Sequence, residues 1–134
     1  MHTLGERPEL RYDIVKFSLQ FLGYKTTLDY LQAMAKLVLE ETGLLPHLNP
    51  GTMTIEQICQ LREVAPSMGI MLESSSQRLC EKGQPHFGSP DKEPDLRLNT
   101  IRAAGKASVP LTTGILIRIG ETRTKRIKNH TTKQ

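Results

Sequence analysis

One stretch constrains the fold most, the run VPLTTGILIRIGET from Val109 to Thr122. Isoleucine, leucine and valine dominate its centre, and Gly120 closes it ahead of a charged segment that can begin a helix. A short apolar run closed by glycine is typical of a strand buried on both faces, as in the parallel sheets of α/β proteins. Arg118 is the exception, because it places a long cation inside the apolar run. The run therefore predicts an α/β fold whose chemistry lies where strands end and the following loops begin.

Helical patterns occupy the first third of the chain. Apolar residues over 10–22 recur near helical spacing, and a second apolar face runs over 28–39. Thr27 is the predicted N-cap of this second helix, because a threonine hydroxyl can accept from the free N–H groups of the first turn. Gly43 follows the last apolar residue and predicts the C-terminal end.

Strands and helices alternate in the remainder. Short apolar runs over 44–48 and 67–72 predict two further strands, and between them Thr54 and Gln57 form a capping box for a third helix. Another helix precedes the run from Val109 to Thr122 and is predicted to stop at Gly105. This alternation predicts parallel strands joined by right-handed crossovers.

Length limits the chain to one modest domain of 134 residues. A complete (β/α)8 barrel needs ~250 residues, so a barrel would make this chain about half of one. The first ten residues, MHTLGERPEL, lack the apolar core of a signal peptide. No apolar run approaches the ~20 residues of a membrane span. We therefore expect a cytoplasmic protein with no membrane partner.

The net charge of +4 raises the question of nucleic-acid binding. The charge is confined to residues 123–134, where five basic residues stand without an acid, and the rest of the chain has a net charge of −1. We therefore divide the chain into a core, 1–122, and a basic C-terminal tail, 123–134, and expect no nucleic-acid partner. A nucleic-acid module carried by the tail is the alternative.

The two cysteines, Cys59 and Cys80, form no CxxC or CxxxCxxC pattern. The sequence therefore predicts no metal site of its own. No disulfide framework is indicated either, which fits a reducing cytoplasm.

Polar residues follow three of the predicted strands, at what should be one edge of a parallel sheet. Carboxylates and hydroxyls in such positions suit a polyhydroxyl ligand, since they accept and donate hydrogen bonds to ribose-like groups. The alternative is that the serines and threonines only cap the helices that follow. The residues are His47 and Asn49, Glu73 with serines 74–76, and Glu121 with Thr122.

Two histidines, His47 and His86, could act as acid–base groups, although a lone histidine is more often structural. His86 lies in the longest irregular stretch, 83–94, and a loop of that length suggests a functional role.

Three segments carry a resemblance to a known family: PHLNPG at 46–51, SMGIMLES at 67–74 and HFGSPDK at 86–92. Together they resemble the radical S-adenosylmethionine (SAM) half of the FO synthases, over about residues 4–126. The resemblance implies part of a (β/α)6-type partial TIM barrel that carries SAM and a 4Fe-4S cluster. It also implies an activity in deazaflavin coenzyme biosynthesis. A 5′-deoxyadenosyl radical oxidises a hydroxybenzyl–ribityldiaminouracil adduct, and cyclisation with loss of ammonia yields the 5-deazaflavin FO.

By this resemblance two segments contact SAM. The loop Gly5-Glu6-Arg7-Pro8 matches the loop after the second barrel strand, which meets the SAM amino group. Glu73 and Ser75 match the fourth-strand region that faces the ribose.

The fifth strand and the substrate site are implied in the same way. Gly114, Leu116 and Glu121 match a GxIxGxxE-like pattern beside the adenine, with Arg118 in place of the central glycine. His47, Asn49 and His86 lie in family-typical segments and are assigned to the small-molecule substrate.

The family's cluster motif, CxxxCxxC, is absent, and it would precede the first residue of this sequence. Cys59 and Cys80 do not match cluster positions, so the cluster is not expected to be ligated by this chain. We therefore expect an interior piece of the enzyme, inactive by itself. Its partners would be the missing part of the same enzyme or a second FO synthase subunit. A degenerate, non-catalytic protein that binds SAM or a ribityl compound is the alternative.

Overall fold

A computed structural model of the chain describes the backbone of residues 2–3 and 5–131 and the side chains of residues 5–127. Residues 132–134 of the basic tail lie outside the described part. The strands are β1 His2–Thr3, β2 His47–Asn49, β3 Ser67–Gly69 and β4 Leu111–Thr112. The α-helices are α1 Asp13–Phe21, α2 Thr27–Thr42, α3 Ile55–Arg62, α4 Pro94–Lys106 and α5 Arg123–Thr131. Short 3-10 helices cover Pro8–Leu10, Gln77–Cys80 and Pro90–Lys92.

The four strands form one parallel sheet in the order β1-β2-β3-β4. Leu48 pairs with Met68, and Met68 pairs with Leu111. The prediction of parallel strands is confirmed. Because parallel strands end at the same edge of the sheet, the loops after β1, β2 and β3 converge there.

One face of the sheet carries the core. Leu48 and Met68 are fully buried against the helices, whose inward residues include Ala35 of α2, Ile58 of α3 and Ala104 of α4. Burying a leucine or isoleucine of this kind contributes about 1.5–3 kcal/mol. Since side chains alternate across a strand, the residues on either side of Leu48 and Met68 lie on the opposite, more polar face.

Helix α2 begins one residue earlier than the predicted cap implies. Thr26 is the N-cap: its hydroxyl accepts from the backbone N–H of Asp29 at 3.1 Å, and the Asp29 carboxylate accepts from the Thr26 N–H at 3.1 Å. Thr27 instead donates its hydroxyl to Glu9. The predicted end at Gly43 is confirmed, with a left-handed φ of 67°.

The capping box of α3 is confirmed, but the predicted end of α4 is wrong. Thr54 and Gln57 exchange both capping hydrogen bonds. Helix α4 continues through Gly105 and ends at Lys106, and Ser108 beyond it adopts a left-handed φ of 53°. This backbone turn lets the Val109 N–H donate to the Ala104 carbonyl at 3.0 Å, so the helix end is satisfied without glycine.

The prediction of one strand buried on both faces over Val109–Thr122 is also wrong. Strand β4 covers only two residues, and the side chains of Leu116 and Ile117 are exposed. Beyond β4 the pairing continues only as far as the Leu116 N–H, which donates to the Glu73 carbonyl. The N–H groups of Arg118 and Ile119 donate instead to the buried carboxylate of Glu121, where the chain bends.

Over the described residues, none of the helices has the length and apolar character that a membrane crossing requires.

Candidate functional site

The loops after three strands enclose a cavity of about 310 Å3. The 3-10 helix Pro90–Lys92 and the first turn of α4 close its other side. This volume lies at the lower end of the ~300–1,000 Å3 range of small-molecule sites. The cavity is lined by Gly5, Glu6, Asn49, Gly51, Met71, Glu73, Asp91, Lys92 and Arg97.

Glu73 follows β3 in a strained backbone conformation. Its φ of 61° lies in the left-handed region that residues other than glycine rarely occupy. The conformation is held from both sides, because the Glu73 N–H donates to the Gly114 carbonyl at 2.9 Å and its own carbonyl accepts from the Leu116 N–H at 2.8 Å. Such strain persists where the surroundings enforce it, and it is concentrated at ligand sites.

Two basic side chains flank the Glu73 carboxylate. Lys92 Nζ donates to Oε1, and His86 Nε2 lies 3.1 Å from Oε2. The His86 ring is buried, whereas Lys92 remains partly exposed on the cavity wall. The carboxylate is therefore held in a fixed orientation at the cavity.

Arg97, in the first turn of α4, is a buried cation at the floor of the cavity. Its guanidinium donates to the carbonyls of Met71 and Asp91, the latter at 2.8 Å. Carboxylate oxygens of Glu6 and Asp91 lie 3.5 and 3.9 Å away. A buried charge needs such partners, and through them Arg97 ties the loops after β1 and β3 to α4.

Glu6 connects the loop after β1 to the turn after β2. Its Oε1 accepts from the Thr52 N–H at 2.9 Å and from the Thr52 hydroxyl. Gly51, with φ of 95°, lets Glu6 approach, since a Cβ there would lie 2.6 Å from the Glu6 carboxyl carbon. The strand-end loops are thus locked together by side chains.

Comparison with curated proteins decides the family. The chain is 57% identical over 130 residues to the FO synthase of Nocardia farcinica and 54% identical over 127 residues to that of Mycobacterium tuberculosis H37Rv. These matches cover 96% and 94% of the chain and 15% of each relative. The 7,8-didemethyl-8-hydroxy-5-deazariboflavin synthase of Methanopyrus kandleri is 47% identical over 128 residues, which is 96% of the chain and 38% of that protein. The chain belongs to the FO synthase family. It spans about 15% of the length of its bacterial relatives.

A solved structure shows the same fold as this FO synthase segment. HydG, a maturase of the [FeFe]-hydrogenase, superposes with a TM-score of 0.61 over 75% of the chain and 23% of its own length, at 18% identity. The segment is an α/β unit built on a small parallel sheet. No protein-family model matches the chain.

The structure brings four of the sequence-predicted site residues of this FO synthase segment into the cavity. They are Gly5, Glu6, Asn49 and Glu73. The other members of the predicted SAM loop lie beside it: Arg7 adopts a left-handed φ of 41° and donates to the Thr52 carbonyl and to Gln57, and Pro8 begins a 3-10 helix.

Four further predicted residues lie near Glu73 in the chain or in contact with it and do not line the cavity. Ser75 is half-buried in the loop after Glu73. Gly114 and Leu116 hold the Glu73 backbone, and a Cβ on Gly114 would lie 2.8 Å from the Met71 sulfur. His86 lies behind Glu73 and does not line the cavity.

His47 lies on the polar face of the sheet, one strand position before the cavity edge. Its Nδ1 is 2.9 Å from the Ser67 hydroxyl, and a Cβ on Gly69 would meet His47 Nε2 at 3.0 Å. The Asn49 side chain, on the cavity side, would lie 3.6 Å from the same Cβ. Gly69 therefore leaves the space that these two side chains occupy.

Glu121 serves its own turn. Its carboxylate has no solvent-exposed surface and accepts from the N–H groups of Arg118 and Ile119 at 2.8 and 2.9 Å, and from Arg126 Nε at 2.8 Å. The backbone hydrogen bond from Arg118 is the largest cause that lowers the pKa of Glu121 to about 2, although burial opposes it.

Arg97, Lys92 and Asp91 line the cavity but are not among the residues that the sequence predicted for the site. A signal existed, because Asp91 and Lys92 belong to the HFGSPDK segment. Arg97 had no local signal, since its position on α4 resembles that of any solvated helical arginine. Only its burial against Glu6 and Asp91 reveals its role.

Two other features of the described residues bear on ligands. A larger cavity of about 550 Å3 lies between α3 and α4, but its lining contains none of the strand-end carboxylates. Across residues 2–3 and 5–131, there is no group of three or more His, Cys, Asp or Glu that could hold a metal. Cys59 is exposed on α3, and burial raises the pKa of the Cys80 thiol, with Glu93 adding to the shift.

Proposed function

We propose that the chain forms the SAM-binding part of a radical SAM FO synthase, which closes the 5-deazaflavin ring of FO in the cytoplasm. The observation that carries the proposal is the strained Glu73 at the end of β3, held beside a cavity that also contains Glu6, Lys92 and Arg97. The identity of 47–57% to FO synthases supports it.

We propose further that the four parallel strands belong to a (β/α)6-type partial TIM barrel. Parallel order, helices covering one face and a polar second face all support this architecture. In a barrel the polar face would be the interior, and for this reason we assign His47 and Asn49 to the substrate site.

The lining of the cavity fits SAM. SAM combines an ammonium and a sulfonium with a carboxylate and a ribose diol, so its site needs acceptors and donors side by side. The carboxylates of Glu6, Glu73 and Asp91 supply acceptors, and Lys92 and Arg97 supply cationic donors. When bound beside a 4Fe-4S cluster, SAM supplies the 5′-deoxyadenosyl radical of the reaction.

Several residues of the site then have defined roles. Glu73 accepts hydrogen bonds from the ribose hydroxyls, and the loop Gly5-Glu6-Arg7-Pro8 receives the amino group. Lys92 faces the ligand carboxylate. Arg97 keeps the two loops at a fixed separation through Glu6 and the Met71 carbonyl. The cluster ligands are assigned to no residue of this chain.

The remaining barrel, or a second FO synthase subunit, is the proposed partner. Helix α1 supports this, because Ile14, Phe17 and Phe21 are 72%, 66% and 92% exposed. An apolar face of this kind marks an interaction surface.

The first test is SAM binding by calorimetry without iron. We expect saturable binding of SAM to the unmodified chain. Glu73→Gln should weaken it at least about 10-fold, because hydrogen bonds to a charged group contribute about 1.5–3 kcal/mol. Glu41→Gln, an exposed carboxylate near the end of α2, is the matched control and should leave affinity unchanged. Equal affinity of wild type and Glu73→Gln would contradict the proposal.

The second test concerns the reaction. This chain replaces the matching segment of the Nocardia farcinica FO synthase, and FO is measured by mass spectrometry. We expect FO from the chimera and none from its Glu73→Gln version. The alternative function, a non-catalytic SAM-binding protein, is favoured by Arg118 in place of the pattern's glycine. It predicts SAM binding by the chain and no FO from the chimera.

A further inference from the structure

The two carboxylate oxygens of Glu73 contact different partners. We call Glu73, His86 and Lys92 the Glu73 clamp. Oε2 lies 3.1 Å from His86 Nε2, and Oε1 accepts from Lys92 Nζ. The His86 side chain is 8% exposed and that of Lys92 is 29% exposed. One oxygen is therefore held from the interior and the other from the cavity.

Lys92 and His86 differ in how easily each side chain can move away from the Glu73 carboxylate. Lys92 lines the cavity, and its long flexible side chain ends in a strongly hydrated ammonium that solvent or a ligand can receive. His86 is held inside the protein, where its backbone N–H donates to the Leu79 carbonyl at 2.9 Å. Lys92 is therefore the partner of Glu73 that a ligand in the cavity can reach, whereas His86 does not line the cavity.

The orientation of the His86 ring toward Glu73 leaves one of its ring nitrogens unpaired within the described part of the chain. Nε2 must carry the proton in this contact, because a carboxylate offers only acceptor lone pairs. Nδ1 is buried and has no hydrogen-bond partner among the described residues. A buried polar atom without a partner is destabilising. A side chain that only filled space would avoid that penalty, so the histidine serves the carboxylate.

We propose that His86 is a positioning residue that fixes Oε2 of Glu73, so that Oε1 is presented to the vicinal diol of a nucleoside. Lys92 occupies Oε1 until the diol replaces it. The freed ammonium then stays on the cavity wall, next to the ligand. This inference rests on the proposed function, because it takes the cavity as the SAM site.

The test measures preference for the diol. Adenosine and 2′,3′-dideoxyadenosine are titrated into the protein and binding is followed by NMR. The wild type should bind adenosine at least about 10-fold more tightly, the ratio expected for a charge-assisted hydrogen bond. Lys92→Met should increase this preference, since nothing then competes for Oε1.

A matched pair of substitutions isolates the role of His86. The amide of glutamine reaches the position of Nε2, whereas that of asparagine ends near Nδ1. His86→Gln should keep most of the preference for adenosine, and His86→Asn should reduce it below about 3-fold. Glu41→Gln, an exposed carboxylate on α2, is the control and should bind both nucleosides as the wild type does. A preference that survives in a folded His86→Asn overturns the inference and leaves the proposed function intact.

A measurement on the wild type covers the case in which the variants do not fold. The His86 Nε2 proton resonance should shift on addition of adenosine and stay in place with dideoxyadenosine. An unmoved resonance at saturating adenosine overturns the inference. If the wild type shows no preference for adenosine, the assignment of Glu73 to the ribose fails as well, and the proposed function fails with it.

Discussion

Arg118 stands in a backbone conformation that suits glycine, and replacing it should stabilise the protein. Its φ is 69°, and the left-handed region costs a residue with a Cβ about 1–2 kcal/mol. Glycine avoids that penalty but loses about 0.5–1 kcal/mol through the greater freedom of its unfolded chain. The hydrogen bond to Glu121 uses the backbone N–H and is retained. We therefore expect Arg118→Gly to raise the free energy of unfolding by about 0.5–1 kcal/mol.

Urea denaturation and thermal melting measure this change. For a chain of this length, about 0.5–1 kcal/mol corresponds to roughly 1.5–4 °C in Tm. Arg118→Ala is the matched control, because it removes the same side chain and keeps the Cβ. It should match the wild type, and Arg118→Asn should fall between alanine and glycine, since asparagine tolerates the left-handed region. A glycine variant no more stable than the alanine variant would refute the reasoning. SAM affinity should change less than about two-fold, because Arg118 is exposed and does not line the cavity.

Three further predictions concern the residues that shape the site. The folded pKa of Glu121, about 2, lies below the ordinary value of 4.5, so its stabilisation is present above pH 4.5 and is lost as the pH falls toward 2. Glu121→Gln should therefore lower stability at pH 6 and flatten its decline between pH 4.5 and 2 in pH-dependent melting; parallel curves for both proteins would contradict this. Gly51→Ala should destabilise by about 2 kcal/mol or more, because a left-handed φ and a 2.6 Å contact with Glu6 both oppose a Cβ. Denaturation of Gly43→Ala is the comparison, since that glycine has a similar φ and no neighbour within 4 Å; equal losses would exclude the contact with Glu6. Arg97→Leu should cost about 3 kcal/mol, because it leaves the largely buried carboxylate of Glu6 without its cation, whereas Arg102→Leu on the exposed side of α4 should stay within about 0.5 kcal/mol. Equal urea midpoints for the two variants would show that Arg97 is not the buried centre of the network.

The helices and the sense of the sheet were predictable because their signals are local. The capping box of Thr54 and Gln57 and the end of α2 at Gly43 depend on residues within a single turn. Alternation of strands and helices is sufficient to predict parallel pairing. The cap of α2 is not decided locally, because Thr26 and Thr27 are adjacent and Glu9, 18 residues earlier, accepts from the Thr27 hydroxyl.

The run from Val109 to Thr122 depends on contacts that its local pattern does not contain. Its apolar composition predicts one long buried strand, yet β4 stops at Thr112. The N–H groups of Arg118 and Ile119 donate to the Glu121 carboxylate where the chain bends, and an apolar pattern contains no information about such a carboxylate.

The sequence by itself determined the family, the parallel α/β class and a set of polar residues at the strand ends, among them Glu73. These follow from composition, periodicity and motifs that lie contiguous in the chain. Only the tertiary structure decided that Glu73 faces Lys92 and His86 and that Arg97 is buried against Glu6. The physical reason is distance along the chain, because each contact joins segments that separate elements carry to one edge of the sheet.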